Sequence, residues 1–157
     1  MSTHPNLARV AEAAQRAGLT IAVRRFPEGT RTADDAARAI GCSVAQIVKS
    51  LVFMADDQPV MALLSGADRL DPDRLATATG AATVRRATGD EARAATGYAI
   101  GGVPPFGHDR ALAVLVDRGL LAHDEVWAAA GLPDAVFPIS PDDLVRVSGG
   151  RIQDLAV

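Results

Sequence analysis

The sequence predicts an α+β protein, a single domain in which a mixed β-sheet is surrounded by helices. Its 157 residues are enough for one domain with a full core but too few for two, so residues 1–157 are treated as one unit. Hydrophobic patterns of helical and of strand periodicity are both present. They do not follow the strict strand–helix alternation of a doubly wound fold, and this irregular order favours a mixed sheet.

Five segments carry the signals of a helix: apolar residues three or four apart, a capping residue in front and often a glycine behind. Thr32 is predicted to cap the second helix, with Asp35 standing where a capping box usually has Glu. Thr88 and Glu91 form a full capping box before the fourth. The predicted helices cover residues 6–17, 33–40, 72–79 and 89–95, and a short fifth one opens at 140–143.

Short runs of β-branched and apolar residues predict the strands. Residues 56–59, Asp-Asp-Gln-Pro, predict the turn of a hairpin between the second and third strands. The alanines of 125–130 would suit a helix as well as a strand. The predicted strands cover residues 19–26 (ended by Pro27-Glu28-Gly29), 46–53, 60–64, 82–85, 112–116, 125–130 and 134–139.

Composition narrows the class of protein. The single Cys42 excludes an internal disulfide and a multi-cysteine zinc site, and no run approaches the roughly 20 apolar residues that span a bilayer. The first residues have no signal-peptide pattern, so we expect a cytoplasmic protein without a membrane partner. The net charge of −3 argues against indiscriminate nucleic-acid binding, so we expect no DNA partner. The pairs Arg24-Arg25 and Arg85-Arg86 are either phosphate contacts or solvated strand ends.

Lys49 is the only lysine in a chain with fifteen arginines. The abundance of Ala, Gly, Pro and Arg indicates a codon bias that replaces Lys with Arg wherever charge alone is needed. A retained lysine therefore suggests a site that needs a compact ammonium. At strand periodicity Lys49 shares a face with Leu51 and Phe53, so its amine should face an interior or a cleft. An edge lysine that prevents aggregation is the alternative; we favour an anion-binding or catalytic amine.

A loop rich in glycine and proline, residues 97–107, is the second candidate feature. The adjacent Gly101 and Gly102 would let the backbone approach a ligand and present its N–H groups, and the prolines that follow would stiffen the loop. Such fixed donors suit the oxyanion of an acyl-transfer reaction. The spacing fits neither a phosphate-binding P-loop nor a dinucleotide fingerprint. A tight surface turn explains the glycines about equally well.

The sequence offers few nucleophiles. Cys42 has no base near it in sequence, no Gly-x-Ser-x-Gly elbow occurs, and the histidines lack the spacing of a zinc site. His108 directly follows the glycine loop and is kept as a candidate, although a solvated imidazole is equally ordinary. Without a protein nucleophile, the plausible chemistry is hydrolysis of an already activated bond by a positioned water.

These segments together resemble the YbaK family, free-standing domains similar to the editing insertion of bacterial prolyl-tRNA synthetase. The resemblance rests on the Lys49 strand combined with the stretch from Gly101 to Gly107, and it covers nearly the whole chain. It implies a mixed, partly barrel-like sheet with surrounding helices, no metal and no cofactor. It also implies a deacylase that hydrolyses the ester between a wrong, small amino acid (Ala, Ser, Cys or Thr) and the 3′ end of a tRNA, often tRNA for proline.

The resemblance also implies site residues. Lys49 would hold the phosphate or ribose of the terminal adenosine, and the loop with Gly101, Gly102 and Pro105 would grip the aminoacyl end. The partner would be the acceptor end of an aminoacyl-tRNA, with an aminoacyl-tRNA synthetase as a further candidate. We expect the acyl pocket, next to His108, to be lined by mostly apolar residues with one hydroxyl, namely Phe26, Ser50, Val103, Phe106 and Phe137.

Two other functions stay open from the sequence alone. One is a binding module for the tRNA 3′ end or for a nucleotide, without hydrolytic activity. The other is an enzyme that forms a Schiff base through its lysine. Retention of both the lysine and the whole loop favours the deacylase.

Overall fold

The computed structural model describes residues 4–26 and 32–157. Within these ranges the chain forms five α-helices and eight strands. The helices are α1 Pro5–Arg16, α2 Ala33–Ile40, α3 Pro72–Thr79, α4 Gly89–Thr96 and α5 Pro141–Ser148. The strands are β1 Arg24–Arg25, β2 Val48–Ala55, β3 Gln58–Ser65, β4 Val84–Arg86, β5 Ala113–Asp117, β6 Val126–Ala129, β7 Ala135–Ile139 and β8 Arg151–Gln153. The Pro27-Glu28-Gly29 turn lies outside the described residues.

The predicted helix caps are present. The Thr32 side chain accepts a hydrogen bond from the Asp35 N–H, and Thr88 and Glu91 form the reciprocal capping box that starts α4. Gly41 and Gly80 end α2 and α3 with φ of 86° and 74°, the left-handed geometry that glycine adopts without a Cβ penalty. Local capping chemistry thus determines where these short helices begin and end.

The strands divide between two sheets. The larger has the order β4-β2-β3-β5-β8, in which the β2–β3 hairpin and β4 are antiparallel while β5 and β8 add in parallel. The smaller is antiparallel, with the order β1-β7-β6. A single parallel bridge from Ile47 to Trp127 connects them. This arrangement is the predicted α+β class with a mixed sheet.

The strands of the structure differ from the predicted ones in two places. The predicted strand 19–26 is reduced to Arg24–Arg25, which pair with β7. Leu19, Ile21 and Val23 still pack on the core, but no strand among the described residues pairs with them. Strand β8 was not predicted, because its three residues depend on β5 for their hydrogen bonds.

The two faces of β2 contact different parts of the core. Val48 and Val52 enter the main cluster between the sheets, together with residues of α1 and α5. Phe53 enters a second cluster beneath α3, where Leu51 packs against it. Lys49 follows the alternation of Leu51 and Phe53, as the sequence predicted. The lysine therefore emerges beside an apolar floor rather than from a solvated face.

Candidate active site

A cavity of about 290 Å³ lies where β2 passes between the two sheets. Its lining is mainly apolar, with Lys49, Ser50, Arg86 and Thr32 as the polar side chains. The remaining lining residues are Ala33, Ala36, Ile47, Val48, Leu51, Val52, Ala87, Ala92, Ile100, Gly101, Val103, Trp127, Ala129, Pro133 and Val136. An apolar chamber with a few convergent polar groups is the usual form of a small-ligand site.

The cavity exists because one edge of β2 is only partly covered. Strand β4 pairs with β2 over Phe53–Ala55, one further bond joins the Ala87 N–H to the Val52 carbonyl, and the chain then turns into α4. Farther along, Ile47 bridges to Trp127 of the smaller sheet. Between these two contacts no strand of the described residues pairs with β2, and the gap opens into the cavity.

Lys49 is fixed at the wall of this cavity. Its Nζ donates a hydrogen bond to the backbone carbonyl oxygen of Asp68. Burial lowers the pKa of Lys49 from its ordinary value; the carboxylate of Asp68 opposes this shift, while Arg86 and Arg69 add to it. Lys49 and Arg86 both border the cavity, which is a setting that favours an anionic ligand.

The neighbours Arg85 and Arg86 have different roles. Both terminal nitrogens of Arg85 lie 2.7 Å from the carboxylate oxygens of Glu91, and this pair holds the pKa of Glu91 at about 2. Arg86 lines the cavity and forms no ion pair with any described residue. Arg85 is thus held by Glu91 of α4, whereas Arg86 is a cation at the cavity that is available to a ligand.

The structure separates the two glycines proposed for the loop. Gly101, with φ of 96°, lines the cavity. Gly102 is buried, and its N–H donates to the Ala99 carbonyl at 3.1 Å. A Cβ on Gly102 would lie 2.8 Å from the carbonyl carbon of Leu132. The expectation that Gly102 presents a free N–H to a ligand is therefore corrected: the backbone it approaches is that of Leu132.

The end of the loop packs into the core. The rings of Phe106 and Phe137 lie 5.6 Å apart, and both belong to the main cluster between the sheets. Pro105 is buried, and the Tyr98 hydroxyl donates to the Gly107 carbonyl at 2.7 Å. The expectation that Phe106, Phe137 and Pro105 line the acyl pocket is corrected, because none of them is among the residues that border the cavity.

His108 does not border the cavity. A ring nitrogen lies 2.7 Å from the Pro104 carbonyl oxygen, and the ring meets that of Tyr98 edge-on at 6.5 Å between centroids. Burial lowers the pKa of His108, although the bond to Pro104 and the charge of Asp109 oppose the shift. His108 is therefore half-buried and stabilises the loop through its contact with Pro104. It is not a solvated imidazole, and it does not border the cavity as the sequence led us to expect.

Phe26 packs in the same cluster as a residue of the cavity wall but does not border the cavity itself. It packs in a third cluster with Trp127, and the guanidinium of Arg24 lies 5.2 Å from the Phe26 ring and 5.5 Å from the Trp127 ring. Trp127 borders the cavity, whereas Phe26 does not. Of the residues predicted to bind substrate, Ser50 and Val103 do line the cavity.

The smaller sheet supplies a wall of the cavity that was not predicted from the sequence. Trp127 and Ala129 of β6 and Val136 of β7 border the cavity, as do Ala33 and Ala36 of α2. Trp127 is the only tryptophan in a chain with few aromatic residues. That singularity was a usable signal, parallel to the one that identified Lys49.

Among residues 4–26 and 32–157, no group of three or more His, Cys, Asp or Glu side chains is placed to hold a metal ion. In the same part of the chain, no helix combines the length and the apolar character needed to cross a membrane.

The family is shown by comparison with known proteins. The model of the aminoacyl-tRNA editing domain matches residues 27–147, well over half of the chain. The chain therefore belongs to the aminoacyl-tRNA editing domain family, and the resemblance to the YbaK group is confirmed.

Individual relatives agree with this assignment. A crystal structure of a candidate trans-editing enzyme for prolyl tRNA synthetase is 42% identical, with a TM-score of 0.93 over 99% of each chain. The uncharacterized protein YwhH of Bacillus subtilis (strain 168) is 28% identical over 130 residues, 83% of each chain. The proline–tRNA ligase of Streptococcus thermophilus (strain ATCC BAA-491 / LMD-9) is 34% identical over 133 residues. That stretch is 79% of this chain but 22% of the ligase, so the chain spans a minor part of such ligases.

Proposed function

We propose that the protein is a trans-editing deacylase that hydrolyses the ester between a small, wrongly attached amino acid and the 3′-terminal ribose of a tRNA. The observation that carries the proposal is the cavity at the open edge of β2, where an apolar chamber adjoins the cations Lys49 and Arg86. An aminoacyl-tRNA end has the matching chemistry, since it joins a small acyl group to a ribose and phosphates.

Charge supports a nucleic-acid end as the ligand rather than a long duplex. The net charge of the chain is −3, so its surface as a whole does not attract polyanions. Lys49 and Arg86, which both border the cavity, supply contacts for one or two phosphates. We infer that Lys49 and Arg86 hold the terminal phosphate and ribose, and that the rest of the tRNA contributes few contacts to this domain.

The apolar wall supports a small acyl group. Trp127, Val136 and Ala129 face the cavity from the smaller sheet, with Val103 on the loop side. Alanine, serine, cysteine and threonine would fit such a chamber, and larger side chains would clash with its walls. The tRNA for proline is proposed because of the relatives that are proline–tRNA ligases and the candidate trans-editing enzyme for prolyl tRNA synthetase. A synthetase is accordingly the proposed protein partner.

The lining residues suggest how water would be activated. No His, Cys, Asp or Glu among the described residues borders the cavity, and the ring of His108 faces Pro104 instead. A side-chain general base is therefore not supplied by these residues. We propose that a positioned water attacks the ester carbonyl and that the vicinal ribose hydroxyl of the substrate takes part in proton transfer.

The experiment is a deacylation panel with the purified chain. tRNA for proline charged with Ala, Ser, Cys, Thr or Pro is incubated with the protein, and loss of the acyl group is compared with the spontaneous rate. The proposal predicts faster loss of at least one small amino acid and retention of prolyl-tRNA, with rates unchanged in EDTA. Binding of uncharged and charged tRNA without any deacylation would instead support a non-catalytic module for the tRNA 3′ end.

A further inference from the structure

The main chain of Ser50 occupies an unusual place on β2. Backbone groups of alternate strand residues point to opposite edges of a strand. The Gly66 N–H donates to the Ile47 carbonyl at 2.7 Å, so the odd-numbered residues of β2 direct their groups toward β3. The Ala87 N–H donates to the Val52 carbonyl at 3.0 Å, so the even-numbered residues face the other edge. Ser50 therefore points its N–H and carbonyl away from β3.

No strand of the described residues pairs with that edge of β2 at Ser50. On one side β4 stops at Arg86, after which only the Ala87 contact continues, and on the other side Ile47 bridges to Trp127. No strand among the described residues fills the interval. Ser50, Ala87 and Trp127 all border the cavity, so the vacant position in the ladder and the cavity are the same space.

Ser50 presents its backbone rather than its hydroxyl. The Oγ atom is buried and has no hydrogen-bond partner, yet the residue as a whole is partly exposed. The hydroxyl is therefore not the exposed part of Ser50, and no strand of the described residues pairs with its main-chain groups at this edge. An open strand edge with free N–H and carbonyl groups is a template for pairing with another extended backbone unit.

We propose that the aminoacyl group of the substrate pairs with Ser50 as a single residue of β-strand. An aminoacyl ester has one amine donor and one carbonyl acceptor at the spacing of a peptide residue, as the vacant position requires. The Ser50 N–H donates to the ester carbonyl oxygen, and the Ser50 carbonyl oxygen accepts from the α-ammonium group. This assignment rests on the proposed function, and it deepens it by naming the main-chain groups that recognise the α-amino group and the ester carbonyl of the substrate.

The pairing also orients the other substrate groups. With the amine and the carbonyl held at the edge of β2, the substrate side chain lies toward the apolar wall that contains Trp127 and Val136. The ester oxygen and the ribose then lie toward Lys49, the neighbour of Ser50. The Ser50 N–H becomes a fixed donor at the oxygen on which negative charge develops, the position at which one donor typically contributes ~10²–10³ in rate.

The direct test is a binding measurement that needs no turnover. The ¹⁵N-labelled wild-type chain is titrated with 3′-(L-alanylamino)-3′-deoxyadenosine, an amide analogue that resists hydrolysis, and with the 3′-propionylamino analogue, which lacks the amine. We expect the Ser50 amide resonance to move downfield with the alanyl analogue, and the propionyl analogue to bind about tenfold or more weakly, as expected for loss of a charge-assisted hydrogen bond. Binding of both analogues with equal affinity, or binding without a change at the Ser50 amide, would overturn the pairing.

A pair of variants provides the kinetic test. Proline at an edge position removes a strand N–H that faces outward without breaking a ladder bond, and alanine at the same position keeps that N–H. We expect Ser50→Pro to deacylate alanyl-tRNA about 10²-fold more slowly than Ser50→Ala, with circular dichroism confirming that both are folded. Equal rates in the two variants would contradict the pairing while leaving the deacylase proposal intact. A wild-type chain that deacylates nothing would contradict the proposed function, and the analogue titration would still decide whether Ser50 pairs with an aminoacyl group.

Discussion

The ammonium of Lys49 donates a hydrogen bond to the backbone carbonyl of Asp68, and this contact fixes the only lysine of the chain beside the cavity. A carbonyl acceptor holds the ammonium without neutralising it. The Asp68 carboxylate, Arg86 and Arg69 are the other charges that act on it. The lysine is therefore positioned and still able to meet an anionic group of a ligand.

Arg86 is expected to contribute a phosphate contact that Arg85 does not. Arg86→Gln should weaken tRNA binding and lower the slope of log K against log salt by about 0.7, the value for one phosphate contact on a single strand. The measurement is the affinity for tRNA at several salt concentrations. Arg85→Gln is the matched control, because Arg85 is held by Glu91. Arg85→Gln should lower the melting temperature slightly and leave the salt slope unchanged. A reduced salt slope in Arg85→Gln together with an unchanged slope in Arg86→Gln would contradict the assignment.

Gly102→Ala is expected to reduce stability. The added Cβ would lie 2.8 Å from the Leu132 carbonyl carbon, so the loop or the segment around Leu132 must shift, at a cost of roughly 1–3 kcal/mol. Thermal or urea denaturation measures the loss. Gly89→Ala is the control, because its nearest neighbour would be Ile100 Cδ1 at 3.8 Å. Equal stability of the two variants would contradict this prediction, because it would show that the backbone at Leu132 moves aside without a loss of free energy of unfolding.

Val136→Ala should widen the acyl specificity. Removing two methyl groups from the cavity wall makes room for a larger side chain, and discrimination by one methylene is worth about 1–3 kcal/mol, or ~10–200-fold. The measurement is kcat/KM for tRNA charged with alanine and with leucine, whose side chain is larger than those that the wild-type chamber is proposed to accept. Val126→Ala makes the same change at a fully buried position that does not border the cavity. It should lose stability without altering the ratio of the two substrates. A changed ratio in both variants would mean that general loosening, not pocket volume, controls specificity.

Stability should decrease on acidification through His108. Burial lowers the pKa of His108 in the folded chain. As pH falls below about 6.5, the ordinary pKa of histidine, the unfolded chain takes up a proton that the folded chain does not yet bind. The stabilisation is thus complete above that pH and is lost as pH falls through the lower, folded pKa. Melting curves at pH 7.5 and 5.5 should show a smaller acid loss in His108→Gln than in the wild type, with His123→Gln as the matched substitution. If the melting temperature of His108→Gln fell between pH 7.5 and 5.5 as much as that of the wild type, groups other than His108 would be responsible for the acid destabilisation.

The parts of the fold that local chemistry determines could be predicted from the sequence. The helices starting after Thr32 and Thr88 were identified from their caps, and the β2–β3 hairpin from its turn and apolar strands. Elements that depend on distant partners could not. Strand β8 acquires its geometry from β5, and no strand of the described residues pairs with the segment before Arg24, although that segment looks like a strand.

The candidate site shows the same division. Lys49 and Gly101 were identified from their residue types, and both border the cavity. Phe106 and Phe137 were expected in the pocket, but an apolar aromatic residue has the same sequence signature in a core as in a pocket. Trp127 could have been noticed as the only tryptophan, but Val136 and the exposed edge at Ser50 depend on how the smaller sheet meets β2, which no local pattern indicates.

Lys49 is proposed to hold the terminal phosphate and ribose of the substrate as a compact ammonium, and the most direct test of this role is deacylation by Lys49→Ala and Lys49→Arg. The lysine is partly buried and its ammonium is held by the Asp68 carbonyl, a contact that a planar guanidinium on a longer side chain does not reproduce in the same geometry. The measurement is kcat/KM on mischarged tRNA for proline, with melting curves to confirm that each variant is folded. We predict a loss of ~10² or more for Lys49→Ala, as for removal of a group that acts in the transition state, and severe impairment of Lys49→Arg. Wild-type rates in a folded Lys49→Arg variant would contradict the account.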